Sequence, residues 1–171
     1  LMDELETILA EVLGGMALAG EKEIGMAPPL PRVAFQEAMK RAGAGREAAE
    51  ACRAVAATAR ERLSFREIIE REYVARMGPW LAEQGAVFLV DWPPAMAVLA
   101  EIREDEGGAS AERFELLVGG VEIANGCTEL IDPAEHRRRF YMDNAERELL
   151  GREPMPLPEA FLADLDYYGL P

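Results

Sequence analysis

The sequence predicts an α+β fold, an antiparallel sheet with flanking helices, and three observations carry that prediction. Apolar residues recur at helical spacing through most of residues 1–84. From residue 85 the pattern shortens to the apolar runs and alternation of strands. Gly119-Gly120 then joins two such strands closely enough for a hairpin, which requires antiparallel pairing. Residues 1–171 are read as one domain, with a mostly helical part over 1–84 and a sheet-and-helix part over 85–171.

Leu1, Met2, Leu5, Ile8, Leu9, Val12 and Leu13 share one helical face, and Gly14-Gly15 stops it, so a helix covers 2–13. Pro28, Pro29 and Pro31 predict a loop over 16–32. The Ala-rich stretches 33–42 and 47–62 favour helix and are separated by Gly43-Ala44-Gly45. Ser64 and Glu67 have capping-box spacing, which opens a helix over 65–77 with Phe65, Ile68, Ile69 and Met77 facing inward. Gly78-Pro79 ends or interrupts it.

Residues 87–90 form a short apolar strand, stopped by Trp92-Pro93-Pro94, and 96–102 read as another. Residues 113–118 and 121–124 are the hairpin strands. Asp132 as N-cap, Pro133 at the first helical position and Glu135 at the third predict a helix over 133–148. A last helix runs over 159–168 and ends at Gly169. Repeats and low-complexity tracts are absent from the sequence.

Composition excludes several classes of function. The formal charge of −14 repels phosphate backbones and argues against nucleic acid as a partner of this stretch by itself. No apolar run approaches membrane-spanning length, and no secretion signal opens the chain. Cys52 and Cys127 lie far apart and match no metal spacing, so a reduced, cytoplasmic protein without disulfides is expected. His136, the single histidine, is expected on an exposed helix face, and Arg137-Arg138-Arg139 on a solvated one. Trp92 is assigned to the core. No Ser-His-Asp or Cys-His set and no glycine-rich phosphate loop is present.

Glu122 and Glu129 do not fit a plain strand. Glu122 lies between Val121 and Ile123, and Glu129 follows the Asn125-Gly126 pair. A carboxylate facing a core is costly unless a cation or donor meets it. Alternation groups Phe114, Leu116 and Val118 on one face of their strand and Arg113, Glu115 and Leu117 on the other. It places Glu122 and Ala124 together, opposite Val121 and Ile123. The residues leave two readings open. Glu122 pairs with an Arg across the sheet while Glu129 is solvated, or one acid meets a metal–phosphate group and the other an organic ammonium.

Residues 113–140, RFELLVGGVEIANGCTELIDPAEHRRRF, resemble the corresponding segment of class II lysyl-tRNA synthetases and of their shortened relatives, the elongation factor P lysine ligases. VFLVDWPPAMAVLAEI upstream and FLADLDYYGLP downstream are similar to the same family; the likeness is strong from residue 86 onward and looser before it. The resemblance implies a partial class II catalytic core, lying between the arginine-bearing motifs 2 and 3. No catalytic residue is therefore expected within 1–171, and the segment alone is expected to be inactive.

The family activates an amino acid with ATP and passes the acyl group to an acceptor. By position, Glu122 is implied as the acid and metal ligand on the ATP–Mg²⁺ side, with Ile123 beside the nucleotide. Asn125, Cys127 and Glu129 are implied at the amino acid, with Glu129 facing its amine. Cys127 departs from the family's usual Phe. Ala124 and the compact run before Glu122 favour the ligase branch, with lysine or β-lysine as substrate and elongation factor P as acceptor. A lysyl-tRNA synthetase charging tRNA, or a non-catalytic paralogue that binds a ligand or partner, is the alternative. A homodimer is implied for the intact protein.

Overall fold

The computed structural model describes residues 1–105 and 108–169, so Leu170 and Pro171 of the downstream resemblance lie outside the described residues. The described residues contain a five-stranded sheet. β6 (Gly108–Val118) pairs antiparallel with β4 (Ala86–Trp92) along one edge. β5 (Ile102–Asp105) and β7 (Val121–Cys127) take its other edge in turn, also antiparallel. β3 (Arg32–Ala34) completes the sheet parallel to β4. Parallel pairing needs a long crossover, and the helices between the two strands provide it.

Each face of the sheet buries its own core. On one side Phe88, Phe114, Leu116 and Val118 meet Ile24, Met26 and Leu30, and α1 (Met2–Leu13) adds Met2, Leu5 and Leu9. Gly14 closes α1 in a left-handed conformation at φ 62°, as the glycine pair predicts. On the other side Val87, Leu89, Trp92 and Leu117 meet Phe35, Met39, Ile69, Met77 and Leu81 from the helical crossover. That crossover comprises α2 (Phe35–Arg41), α3 (Arg46–Ala51), α4 (Ala59–Glu72), a π turn (Tyr73–Met77) and α5 (Gly78–Glu83). α6 (Pro133–Leu149) packs on α4, and α7 (Glu159–Tyr168) packs on α6. Asp132 caps α6 by accepting the Ala134 N–H at 2.8 Å.

Several expectations are corrected. The mostly helical part, 1–84, also holds β1 (Met16–Ala19) and β2 (Lys22–Gly25), an antiparallel hairpin where a loop was expected. Its prolines begin only at Pro28, and Ile24 gains a core position by pairing there. The Ala-rich run 47–62 breaks into α3 and α4 because the capping box is Thr58–Glu61, not Ser64–Glu67. The Glu61 N–H reaches the Thr58 hydroxyl, and the Glu61 carboxylate accepts the Thr58 N–H, so the helix restarts there. Gly78-Pro79 does not end the helix: the π turn shifts the register, and Pro79 falls in the first turn of α5, where no N–H is required.

Residues 96–102 are not a strand. A 3₁₀ turn (Pro94–Met96) and an irregular loop lead into β5. His136 is buried rather than exposed, with Nε2 2.6 Å from the Leu130 carbonyl oxygen and its ring edge-on to Phe161. Arg139 is buried as well, whereas its neighbours Arg137 and Arg138 are not.

Candidate functional site

A β-bulge builds the candidate site. Leu116 pairs with Ala124 and Leu117 with Glu122, which leaves Ile123 as an extra residue in β7. The alternation expected for β7 is therefore broken: Glu122 and Ala124 lie on opposite faces, not the same one. Residues directly opposite in an antiparallel pair share a face. Glu122 joins Leu117, Asn125 joins Glu115, and Cys127 joins Arg113, so three of the positions singled out by sequence share the face that carries Glu115. Ala124 moves to the apolar side against Phe114 and Leu116. Ile123 is 45% exposed. Without the bulge, Asn125 and Cys127 would face the opposite core.

Gly126 occupies a position where no side chain fits. A Cβ there would come within 2.7 Å of the Phe114 ring, and its φ is not in the left-handed region. Gly126 thus serves close approach of the backbone to Phe114.

Polar contacts tie the face together. The Asn125 amide donates to Glu122 Oε1 at 2.8 Å. The Cys127 thiol lies 3.5 Å from Glu129 Oε1. Arg113 donates to Glu115 Oε1 at 2.5 Å and to the Met96 carbonyl at 3.3 Å, and its guanidinium stacks 4.1 Å from the Trp92 ring centroid. Among the described residues neither Glu122 nor Glu129 has an ion-pair partner, so a cross-sheet Arg for Glu122 is not found. Trp92 sits in the core as expected and also carries Arg113 on its face.

The electrostatics of the face are those of two carboxylates sharing a partly dry surface. Burial pushes the Glu115 carboxyl up to about 7, Arg113 opposes this, and the charge of Glu122 adds to it. Burial, then Glu115 and Glu122, also push the Tyr73 phenol up, with Arg113 opposing. Burial and the Glu129 carboxylate raise the Cys127 thiol, which is therefore a poor nucleophile. Cys52 is buried, and its thiol is pushed up to about 12.

Sequence reading passed over Glu115, Arg113 and Tyr73. Glu115 was legible in principle, because the alternation that groups it with Arg113 also gives it to the mixed face. Tyr73 had no signal, because only the π turn brings it there. Among the described residues no three His, Cys, Asp or Glu side chains gather closely enough to hold a metal by themselves. The pair Glu115 and Glu122 could serve a cation whose other ligands are phosphate and water.

Beyond β7 the backbone is braced. Ala100 and Glu129 form an isolated antiparallel bridge, with Glu101 N–H to Thr128 O at 2.8 Å and Leu130 N–H to Leu99 O at 2.8 Å. A hollow of about 270 Å³ lies against Val90, Arg113, Phe114, Cys127 and Thr128. A cleft of about 730 Å³ between α4 and α6 shares only Arg113 with the acid face.

A five-stranded, largely antiparallel sheet that displays acids between flanking helices fits the catalytic core of a class II synthetase. The model of the class II tRNA synthetases of the D, K and N type matches residues 1–171, and the chain belongs to that family. Within it, the chain is 38% identical over 104 residues to the elongation factor P–(R)-β-lysine ligase of Proteus mirabilis, covering 61% of this chain and 31% of that protein. It is 41% identical over 93 residues to the ligase of the same name from Edwardsiella ictaluri, covering 54% and 28%. It is 30% identical over 184 aligned positions to the lysine–tRNA ligase of Moorella thermoacetica, covering 100% of this chain and 37% of that protein. The chain thus spans about a third of the length of these curated relatives.

Proposed function

We propose that the chain is the substrate-binding part of an ATP-dependent ligase that activates lysine or β-lysine as an adenylate and transfers it to elongation factor P. The observation that carries this reading is the pair of acid positions on one bulged hairpin. Glu115 and Glu122 share a face at one end, Glu129 lies beyond its other end, and neither Glu122 nor Glu129 has a cation of its own among the described residues. Both carboxylates are exposed, Glu129 being solvated as the plainer reading expected, and both are open to a cation that arrives with the substrates. The names of the relatives support the same chemistry.

In this reading Glu122, with Glu115 on the same face, faces Mg²⁺ and the ATP phosphates; one or two carboxylates are the usual protein share for that ion. Mg²⁺ would supply charge neutralisation on the triphosphate. Asn125 holds Glu122 in place through its amide while its backbone edge stays open. Ile123, lifted out of register by the bulge, offers an exposed apolar surface beside the nucleotide. Glu129 accepts the substrate ammonium, and Cys127 lines the slot along the substrate's aliphatic chain. Arg113, stacked on Trp92, sets the orientation of Glu115. The intact protein would work in the cytoplasm as a homodimer.

Acceptor choice is decided by experiment. The intact protein is incubated with ATP, Mg²⁺ and labelled lysine or (R)-β-lysine, and with elongation factor P or tRNA. Label on elongation factor P is expected. Label on tRNA alone would establish the synthetase alternative, which is supported by the likeness to a lysine–tRNA ligase along the whole of this chain, though over 37% of that protein. No adenylate with either amino acid would leave the non-catalytic reading.

A further inference from the structure

The acid that would take the substrate amine does not stand on a regular strand. Glu129 lies two residues past the end of β7, where its backbone is fixed by the isolated bridge to Ala100. The two flanking hydrogen bonds, Glu101 N–H to Thr128 O and Leu130 N–H to Leu99 O, also come from this one segment. Whatever sets the position of residues 98–101 therefore sets the position of Glu129.

That segment has little regular structure of its own. Val98 adopts φ 53°, a left-handed conformation seldom taken by a β-branched residue, and is 68% exposed. A conformation of this kind persists only where its surroundings impose it. The imposing group is Arg139, only 6% exposed although it belongs to a helix rich in solvated charge. Its Nη1 donates to the Val98 carbonyl at 3.0 Å and to the Ala100 carbonyl at 2.7 Å. Its Nε donates to Glu135 Oε1 at 2.9 Å, one turn earlier on α6. Glu135 is held in turn by Arg138 through two further bonds, at 2.6 and 2.8 Å. One nitrogen, Nη1, thus bridges the two carbonyls while Nε of the same rigid plane is tied to Glu135, so the guanidinium fixes the carbonyls relative to α6.

The geometry points to Arg139 as a positioning residue for amino-acid recognition: through the carbonyls of Val98 and Ala100 it sets where the Glu129 carboxylate meets the substrate ammonium. Arg139 touches no substrate in this scheme. The inference rests on the reading of Glu129 as the amine's partner. It extends that reading to α6, whose start was expected only to cap and whose arginines were expected only to be solvated.

The experiment uses the intact protein and lysine-dependent ATP–pyrophosphate exchange, with KM measured separately for amino acid and ATP. Arg139→Lys keeps a cation but loses the planar link between Nη1, which bridges the carbonyls, and Nε, which is tied to Glu135, so one ammonium cannot hold the carbonyls and Glu135 together in the same geometry. Misplacement of a recognition group by a fraction of an ångström is costly, so amino-acid KM is expected to rise about tenfold, with ATP KM within about twofold. Glu135→Gln leaves Arg139 intact but loosens its anchor, and a smaller rise of the same kind is expected. It also serves if Arg139→Lys fails to unfold cooperatively. Glu129→Gln is the control. If Glu129→Gln leaves amino-acid KM unchanged, the underlying reading of Glu129 fails. If Glu129→Gln raises it while both α6 variants leave it unchanged, or raise both KM values in equal proportion, Arg139 is merely structural and the inference is overturned.

Discussion

Replacing Gly126 by Ala separates packing from backbone conformation at the centre of the site. The backbone there is not left-handed, so a methyl group adds no torsional strain and should even stabilise, by about 0.4–1 kcal/mol, through a less flexible unfolded chain. Against this, the new Cβ would lie 2.7 and 2.9 Å from two atoms of the Phe114 ring. The ring cannot swing aside cheaply. It is buried, set edge-on to Phe88 at 5.6 Å between centroids, and packed beneath α1. Overpacking of this kind costs about 1–3 kcal/mol, so the net loss should be about 1–2 kcal/mol. In urea unfolding of the chain the midpoint should fall with the slope unchanged. Phe114→Leu in the same background should recover part of that loss, a coupling of about 0.5 kcal/mol or more in a double-mutant cycle. A Gly126→Ala variant as stable as the parent, or strictly additive effects, would show that Phe114 is not what reserves this position for glycine.

Three further outcomes follow from particular contacts. Cys127→Phe in the intact protein should narrow the slot and add apolar contact worth about 1–3 kcal/mol, tightening α-lysine and penalising β-lysine; identical responses of the two isomers in pyrophosphate exchange would remove Cys127 from the pocket. Hydrogen bonds from Arg138, then Arg139, hold the Glu135 carboxyl down at about 2, below its ordinary 4.5. A depressed carboxyl contributes stability that is full above 4.5 and lost as pH falls toward 2, so Glu135→Gln should destabilise at pH 7 and converge with the parent over that window; a pH-independent difference would contradict it. Glu146 is buried between Arg62 Nε at 2.5 Å and Arg66 Nη1 at 3.2 Å, joining α6 to α4; because Arg62 keeps Asp143 and Arg66 keeps Glu70, Glu146→Ala should cost about 1.5–3 kcal/mol by calorimetry, whereas a loss under about 0.5 kcal/mol would mark the contacts as solvent-screened.

Much of the fold was legible because local chemistry and tertiary structure agree. Gly119-Gly120 specifies the hairpin, Asp132-Pro133 specifies the start of α6, and Gly14 the end of α1. Legibility failed where two local signals competed. Ser64 and Thr58 both offer a capping box, and only the chain's need to turn between α3 and α4 selects Thr58. Gly78-Pro79 reads as a stop, yet the π turn absorbs it. At the site, the residue identities were legible but their shared face was not: strict alternation sends Asn125 and Cys127 away from Glu122, and one extra residue, Ile123, brings them back. His136 and Arg139 read as surface charge because sequence shows what a helix carries, not the depth at which another helix covers it.

The central claim, that the two ends of one hairpin divide ATP from amino acid, is tested most directly by comparing Glu122→Gln with Glu129→Gln in the intact protein. ATP–pyrophosphate exchange is titrated separately in Mg²⁺, ATP and amino acid. Glu122→Gln should raise the Mg²⁺ and ATP requirement and leave the amino-acid requirement nearly intact. Glu129→Gln should do the reverse, raising the amino-acid requirement and leaving the Mg²⁺ and ATP requirements nearly intact. Both variants shifting the same requirement, or neither shifting any, would contradict the account.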